Sequence, residues 1–547
     1  MSSPRPQSQS GNQPIDFSKL RVLVVDDFDN FRLSMRQMLR GMGIGHIEAC
    51  ATGSAAIQSC TYDQFDIVLC DYNLGSGKNG QHVLEELRHR KLLRRTSLFI
   101  MVTAETSKEM VMGAREYQPD GYLTKPINQA SLSQRLNALL QQRAVLLPIN
   151  REIDLDNLPK AISLCTQMLP QQPRYRTWIL KTLSDLYYQV GDYSHARKIC
   201  EDVLQSRDLS WARLGLGRIL IAEQRYGEAI QALQTLIERQ PDLVEAYDQL
   251  ARAQSLAGKS GTAQRTLEQA TALSPNAILR QKQLATLASR NQDMDTACQA
   301  WRQTVQLGRY SIHDQPEHYL GLGRSLCDLS EDDTSDEGRA RADEALRALA
   351  LVRKRFPEAD DVPDLSRLIE ARVLQGQKRV EEADAIINPL IESGDHLSPG
   401  AELELARTLF ARDRRDEAKK RLMALSQRCE GDAEIQSAIE ALLDEPVGFR
   451  KRLQARRLTR EGIQAFEKQD LETAAKTFAE ALTLVPAHPA LNLNLVQVRL
   501  RQIDQDADRH ALIQQCRQCL AQLDSLPEGH QQYRRFQSLK RKVEALS

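Results

Sequence analysis

Aromatic side chains are scarce in this chain: Phe, Tyr and Trp make up 5% of its 547 residues. Sheet surfaces favour aromatic and β-branched residues, so this poverty, beside abundant Ala, Leu, Gln, Arg and Glu, excludes a large all-β architecture and favours helices. Net charge is missing as well. The 73 Lys and Arg balance 73 Asp and Glu, and no domain hides a surplus: residues 1–142 hold 16 basic and 14 acidic side chains, leaving 57 and 59 for the remainder. A protein built around nucleic acid needs an excess of Lys and Arg on at least one domain. Neither part has one, so no DNA-binding domain is expected. No run of about 18 apolar residues is present to span a bilayer, and the opening MSSPRPQSQSGNQP has no apolar core of a signal peptide. The expectation is a disordered arm over 1–19 of a cytoplasmic protein with no membrane contact. Ten cysteines scattered along the chain fit reduced core thiols better than a disulfide framework.

What is there, from residue 20 on, is an alternation of short β-branched runs with helical patterns. The runs are RVLVV (21–25), HIEAC (46–50), FDIVLC (65–70), SLFIMV (97–102) and DGYLT (120–124). The first, third and fourth are apolar almost throughout, as central parallel strands covered on both faces must be. Helical spacing of Leu, Met, Val or Ala predicts helices over 30–40, 53–60, 81–90, 108–116 and 129–143. Five βα units with right-handed crossovers give a doubly wound sheet whose site lies at the carboxyl ends of the strands.

That edge collects chemistry. The first strand runs into Asp26-Asp27, the third into Asp71, the fourth into Thr103 and the fifth into Lys125-Pro126. Three carboxylates brought together repel unless a cation sits among them, and Mg²⁺, with its oxygen ligands and retained waters, is the natural occupant. A lysine ammonium and a threonine hydroxyl at the same edge offer donors to the oxygens of a phosphoryl group, so the set predicts phosphoryl transfer by positioning and charge neutralisation. Singly, each is ordinary: an Asp-Asp after a strand is usually a solvated turn, and a Lys-Pro a loop. Their common register with the strands makes them a site.

On these residues, 20–142 resembles the receiver domain of bacterial two-component response regulators. The resemblance implies a flavodoxin-like sheet in the order 2-1-3-4-5, with Asp71 as phosphoacceptor from a histidine kinase or phosphotransfer protein. It implies Mg²⁺ ligation by Asp27, Asp71 and the backbone carbonyl of Asn73, with Asp26 acting mainly through water. Thr103 and Lys125 would stabilise the phosphorylated form, Lys125 preceding a cis bond to Pro126. Tyr122 would be the aromatic switch, and the 106–142 face would transmit it. The loop DYNLGSGKNG departs from the family pattern of a proline four residues after the acceptor and a glycine at eight. It has Gly75 and Gly80 at four and nine, leaving Lys78 and Asn79 as tuners of partner access or dephosphorylation rate.

Beyond Arg143 the strand signals stop. LLPINREID (146–154), with Pro148 as breaker, reads as a non-helical junction within a linker at 143–155. A period of 34 residues follows: Ala229, Ala263 and Ala297; Pro241 and Pro275; Gly217, Ala251 and Ala285; and the bulky Leu233, Leu267 and Trp301. Small residues at fixed places mean antiparallel helices crossing so closely that only Gly or Ala fits. The pattern resembles the tetratricopeptide repeat. It is clear again at Leu183, Tyr187, Gly191, Tyr193 and Ala196 and at Gly462, Leu471, Ala474, Phe478, Ala481 and Pro486, and weak between 310 and 450. The expectation for 156–547 is an all-α superhelical solenoid of about ten to twelve helix pairs. Its concave face would hold a peptide or another protein. By resemblance the groove is lined by Trp211, Leu214, Arg218, Glu245, Asp248, Arg252, Lys282 and Arg290.

Three further segments stand out. SEDDTSDEG (330–338) reads as a solvated acidic loop inserted in a repeat. FRKRLQARRLTR (449–460) carries six basic residues, read as solvated, with stems lying over apolar surface. Cys516 and Cys519 read as one packed helix face rather than a redox or zinc pair. No Walker loop, HExxH or nucleophile elbow is present, so no catalytic output domain is expected beyond the receiver's own phosphorylation and dephosphorylation. The leading expectation is a response regulator whose array binds a protein partner under control of Asp71. A phosphorylation-independent scaffold with a docking-only receiver and an RNA-binding helical repeat are the alternatives. The kinase, the target, and whether the phosphorylated form pairs with a second copy stay open.

Overall fold

Where β-branched apolar residues run together, strands form. They are β1 Arg21–Val25, β2 His46–Cys50, β3 Ile67–Asp71, β4 Leu98–Thr103 and β5 Gly121–Thr124. The computed structural model describes residues 16–104, 119–392, 397–503, 509–524 and 526–546. All pairings are parallel and the order is β2-β1-β3-β4-β5. Because side chains alternate across a strand, the central strands feed two cores. Val22, Val24, Ile67, Leu69, Ile100 and Val102 bury one face beneath Met35 and Leu39 of α1 (Asp29–Gly41) and Leu132, Leu136 and Leu140 of α4 (Gln129–Asp154). Leu23, Val25, Val68, Cys70, Phe99 and Met101 bury the other beneath α2 (Gly53–Tyr62) and α3 (Gly80–His89). The helix expected over 108–116 lies outside the described residues.

Two expectations at the ends of this domain are corrected. Residues 1–15 lie outside the described part, but the arm does not reach 19: Asp16 caps a 3-10 turn at Phe17–Lys19, and Phe17 and Leu20 pack against the core. The junction at 146–154 is helical rather than broken. α4 runs through Pro148 to Asp154. A helix tolerates an interior proline when packing offsets the lost hydrogen bond, and here Leu146 and Ile149 are buried with Ala161, Cys165, Ile179 and Leu183 of the first array helices. The Asp154 carboxylate then accepts hydrogen bonds from the backbone N–H groups of Arg95 and Thr96 at 2.8 and 3.1 Å.

The described chain divides into two compact units, Met1–Asn291 with Arg302–Gln315, and Gln292–Trp301 with Pro316–Ser547. In the first, helix hairpins follow at 176–206, 210–239 and 244–273. Gly217 shows why the period needs small residues: a Cβ there would lie 2.7 Å from the side chain of Leu233, itself fully buried. In the second unit, helix pairs occupy 316–355, 362–392, 399–428 and 449–484, and helices follow at 489–503 and 509–521, so the stretch where the sequence pattern is weak is helical as well.

Electrostatics organises that stretch. Arg324, Arg372 and Arg407 converge on Glu404, whose side chain is 3% exposed, at 2.7, 3.7 and 2.8 Å. Burial alone would raise this carboxyl; the three guanidiniums outweigh it and hold its pKa at about 2. Arg372 also donates to Cys327 Sγ at 3.1 Å. The acidic insertion is not a wholly solvated loop. Ser335 caps a helix from Asp336 to Arg355, leaving a short turn in which Glu331 is half-buried and accepts a hydrogen bond from the Arg450 N–H. The basic segment is correspondingly less solvated than expected: Arg450 pairs with Asp333, and Arg456 with the buried Glu445.

All ten cysteines are free and seven are buried. Among the described residues no helix is long and apolar enough to cross a membrane.

Gly217→Val should destabilise the first unit by about 1–3 kcal/mol through overpacking, visible as a lowered melting temperature. Glu404 has a depressed pKa in the folded state, so its contribution is complete above its ordinary value of 4.5 and is lost as pH falls toward about 2. Glu404→Gln should therefore melt lower at pH 7 and flatten the stability loss across that interval. Equal slopes for variant and parent in acid titrations would contradict the assignment.

Candidate functional site

The acid pair sits where β1 ends and the chain turns toward α1. Asp26 is fully buried. One of its oxygens accepts the Phe28 N–H at 2.9 Å, and the other accepts from Lys125 at 2.7 Å. Asp71, the last residue of β3, is 6% exposed and accepts from the same ammonium at 2.8 Å. Asp27 is exposed, and carboxylate oxygens of Asp26, Asp27 and Asp71 lie within 4.8 Å of one another. Lys125 reaches this acidic cluster across the ring of Phe31, 4.2 Å from the centroid.

Burial pushes the Asp71 carboxyl above its ordinary range. Lys125 opposes that rise and Asp26 adds to it. Burial likewise works against the charge of Lys125, yet its hydrogen bonds to both carboxylates outweigh that cost and raise its pKa. The site thus holds an ammonium that stays charged beside a carboxylate in a poorly solvated place.

The sheet brings the remaining predicted residues to the same edge. Thr103 ends β4 half-buried, and its carbonyl accepts the Lys125 N–H at 2.9 Å, so the fourth and fifth strand ends are fixed to each other. The Lys125–Pro126 bond is cis. Tyr122 lies half-buried against the core that contains Phe99 and Met101. Asn73 is exposed on the loop after Asp71, and its side-chain oxygen accepts the Gly75 N–H at 3.2 Å. Residues 106–118 of the expected transmitting face lie outside the described residues.

Hard oxygen donors on three converging carboxylates, with the Asn73 carbonyl on the adjoining loop, suit an octahedral divalent cation such as Mg²⁺. Two residues beyond the predicted site set shape it. Gly75 has φ of +71°, and a Cβ on it would lie 3.3 Å from Asp27 Oδ2, so a side chain here would crowd the acid pair. Its signal was its place, where the family carries proline. Phe31 was legible only as an aromatic near the acid pair in a chain with few aromatics.

Comparison with known proteins decides what this edge belongs to. Residues 22–137 match the response regulator receiver domain family. The chain is 28% identical over 123 residues to chemotaxis protein CheY-3 of Vibrio cholerae, covering 22% of this chain and 93% of that protein. Residues 22–137 are a response regulator receiver domain. The chemotaxis protein CheY of Pseudomonas aeruginosa is 25% identical over an equal span and is covered to 98%. The solved structure of the chemotaxis response regulator CheY4 of Vibrio cholerae is 26% identical, with a TM-score of 0.21, covering 22% of this chain and 98% of its own. Residues 211–242 match the tetratricopeptide repeat, so the receiver domain is followed by helical repeats of that class.

The expected groove residues of those repeats divide. Trp211 and Leu214 are half-buried, packed against the cores between helices. The polar ones form rungs between helices about one repeat apart. Arg218 meets Asp185 at 3.2 Å, Asp248 holds the buried Arg280 through two hydrogen bonds of 2.7 and 2.8 Å, and Lys282 donates to Gln315 at 2.6 Å. Arg252 and Arg290 are exposed, and Glu245 is half-buried.

Lys125→Met should leave two buried carboxylates facing each other without a counter-charge. In EDTA at pH 7.5 the variant should lose about 3 kcal/mol of stability and recover part of it with added Mg²⁺. Identical melting of variant and parent in EDTA would show that the ammonium does not balance the site.

Proposed function

We propose that this protein is a phosphorylation-controlled response regulator in which Asp71 accepts a phosphoryl group and the repeat array binds a protein partner. The observation that carries the reading is the position of Asp71, 6% exposed at the carboxyl end of β3, between two further carboxylates and a lysine that bonds it directly. A carboxylate raised by burial and steered by a single ammonium is oriented for in-line attack, and it exchanges little solvation on reaction.

The Asp71 oxygen would attack the phosphorus of a phosphohistidine on a kinase or phosphotransfer protein. The P–N bond breaks, its electron pair leaves with the imidazole, and an acyl phosphate forms. Lys125 moves from bridging two carboxylates to bonding a phosphoryl oxygen, while Thr103 offers its hydroxyl to another. Asp26, Asp27, Asp71 and the Asn73 carbonyl would hold Mg²⁺, which when bound offsets the charge gathered on the carboxylates and phosphoryl oxygens. Tyr122 and the 106–142 segment would respond to the shift of Thr103. For the array, the repeat class and the absence of a catalytic motif in the sequence after residue 143 support binding as output.

Acetyl phosphate with Mg²⁺, or a histidine kinase, should label the wild-type chain and not Asp71→Ala. Affinity capture under phosphorylating conditions should recover partners that differ between wild type and Asp71→Asn. Labelling that survives the Ala substitution would overturn the acceptor, and identical captures would overturn the switched output.

A further inference from the structure

Helix α3 carries two carboxylates, Glu85 and Glu86, that are only 7% and 9% exposed. A receiver domain standing alone would solvate them, because burying a charge costs several kcal/mol unless a partner compensates. Glu86 is paired inside the receiver, with Lys78 and, at 3.1 Å, with Arg90, whereas Glu85 meets a group more than 200 residues away within the same compact unit. Ser311 Oγ donates to Glu85 Oε2 at 3.3 Å. Lys78, in the lengthened loop after Asp71, pairs with Glu86 at 2.7 Å and donates to the Tyr310 carbonyl at 2.8 Å. The His82 ring, which accepts the Asn79 N–H, makes a further hydrogen bond to the backbone of Leu307. The end of an array helix at Leu307–Gly308 and the turn after it, as far as Ser311, are thus seated on the β3–α3 surface of the receiver.

That surface touches the acceptor. Gly80 opens α3 so close to Asp71 that a Cβ would lie 2.3 Å from the Asp71 carbonyl oxygen, and the Gly80 N–H donates to the Tyr72 carbonyl at 2.8 Å. No slack separates Asp71 from the start of α3. A phosphoryl group on Asp71 adds negative charge and three strong acceptor oxygens. Those oxygens would draw on the donors of the 72–79 loop, whose one cation, Lys78, is committed to Glu86 and Tyr310.

We propose that the 307–311 turn is an intramolecular ligand of the β3–α3 surface, bound while Asp71 is unmodified and released when it is phosphorylated. The proposal rests on the reading of Asp71 as phosphoacceptor. Binding linkage is reciprocal, so a change at Asp71 that loosens the turn requires that loosening the turn strengthen the change at Asp71.

The full-length chain with Mg²⁺, titrated with beryllofluoride as the phosphoryl mimic, tests this. Hydrogen exchange at 307–313 should rise when beryllofluoride binds to wild type. Ser311→Glu, which sets a second carboxylate against Glu85, and Glu85→Lys, which removes the acceptor, should each bind beryllofluoride about fivefold or more tightly than wild type. Unchanged or increased protection in wild type overturns the proposal whatever the variants do, as do equal affinities in variants that fold. If wild type binds no beryllofluoride, the acceptor reading fails and this proposal with it. If wild type binds it while the turn stays protected, the acceptor reading stands and only the docking switch falls.

Discussion

Mutual repulsion among carboxylates at one sheet edge is the constraint on which this protein turns. Parallel strands covered on both faces leave their carboxyl ends as the place where polar chemistry can gather, and here three acids arrive there together. A single ammonium holds two of them, and its own charge is held by them in return. The arrangement is poised rather than settled: an added cation or phosphoryl group would compete for the oxygens that Lys125 now serves. The tie from the Lys125 N–H to the Thr103 carbonyl of β4 and the close seat of Gly80 on Asp71 fix the site to the chain on either side of it.

Most of the receiver was legible in the sequence because its strands are nearly pure apolar runs and its site residues lie at their ends, where topology alone brings them together. The first two strands begin and end where composition placed them. Legibility failed where tertiary packing overrides a local signal. Pro148 reads as a breaker, yet buried Leu146 and Ile149 keep its helix intact. Between 310 and 450, where the repeat signature is weak, buried charge as at Glu404 adds to small-residue crossings such as Gly323 against Leu349, and ion pairs have no fixed period along the chain. Contacts of the 307–311 turn with α3 could not be read at all, since nothing in either segment names the other.

The charge balance that first spoke against nucleic acid has a local basis. Acids and bases are matched contact by contact: Arg280 with Asp248 between array helices, Arg456 with Glu445 and Arg450 with Asp333 at the basic segment. Even the segment richest in arginine spends several of its charges internally. Such pairing gives specificity to helix stacking more than net stability, and it leaves less of a continuous basic stripe than the sequence alone would indicate.

The unbroken helix from Gln129 to Asp154 has a consequence of its own. Its first half completes the core of the receiver, its second half opens the core of the array, and its last residue is fastened back to the receiver at Arg95 and Thr96. A flexible connector would let its length drift freely. In a shared helix, each inserted or deleted residue turns the helix beyond it by about 100° and shifts it by about 1.5 Å. The spacing between Leu140 and Leu146 therefore behaves as a gear tooth count, and the two modules can be exchanged among proteins only in register.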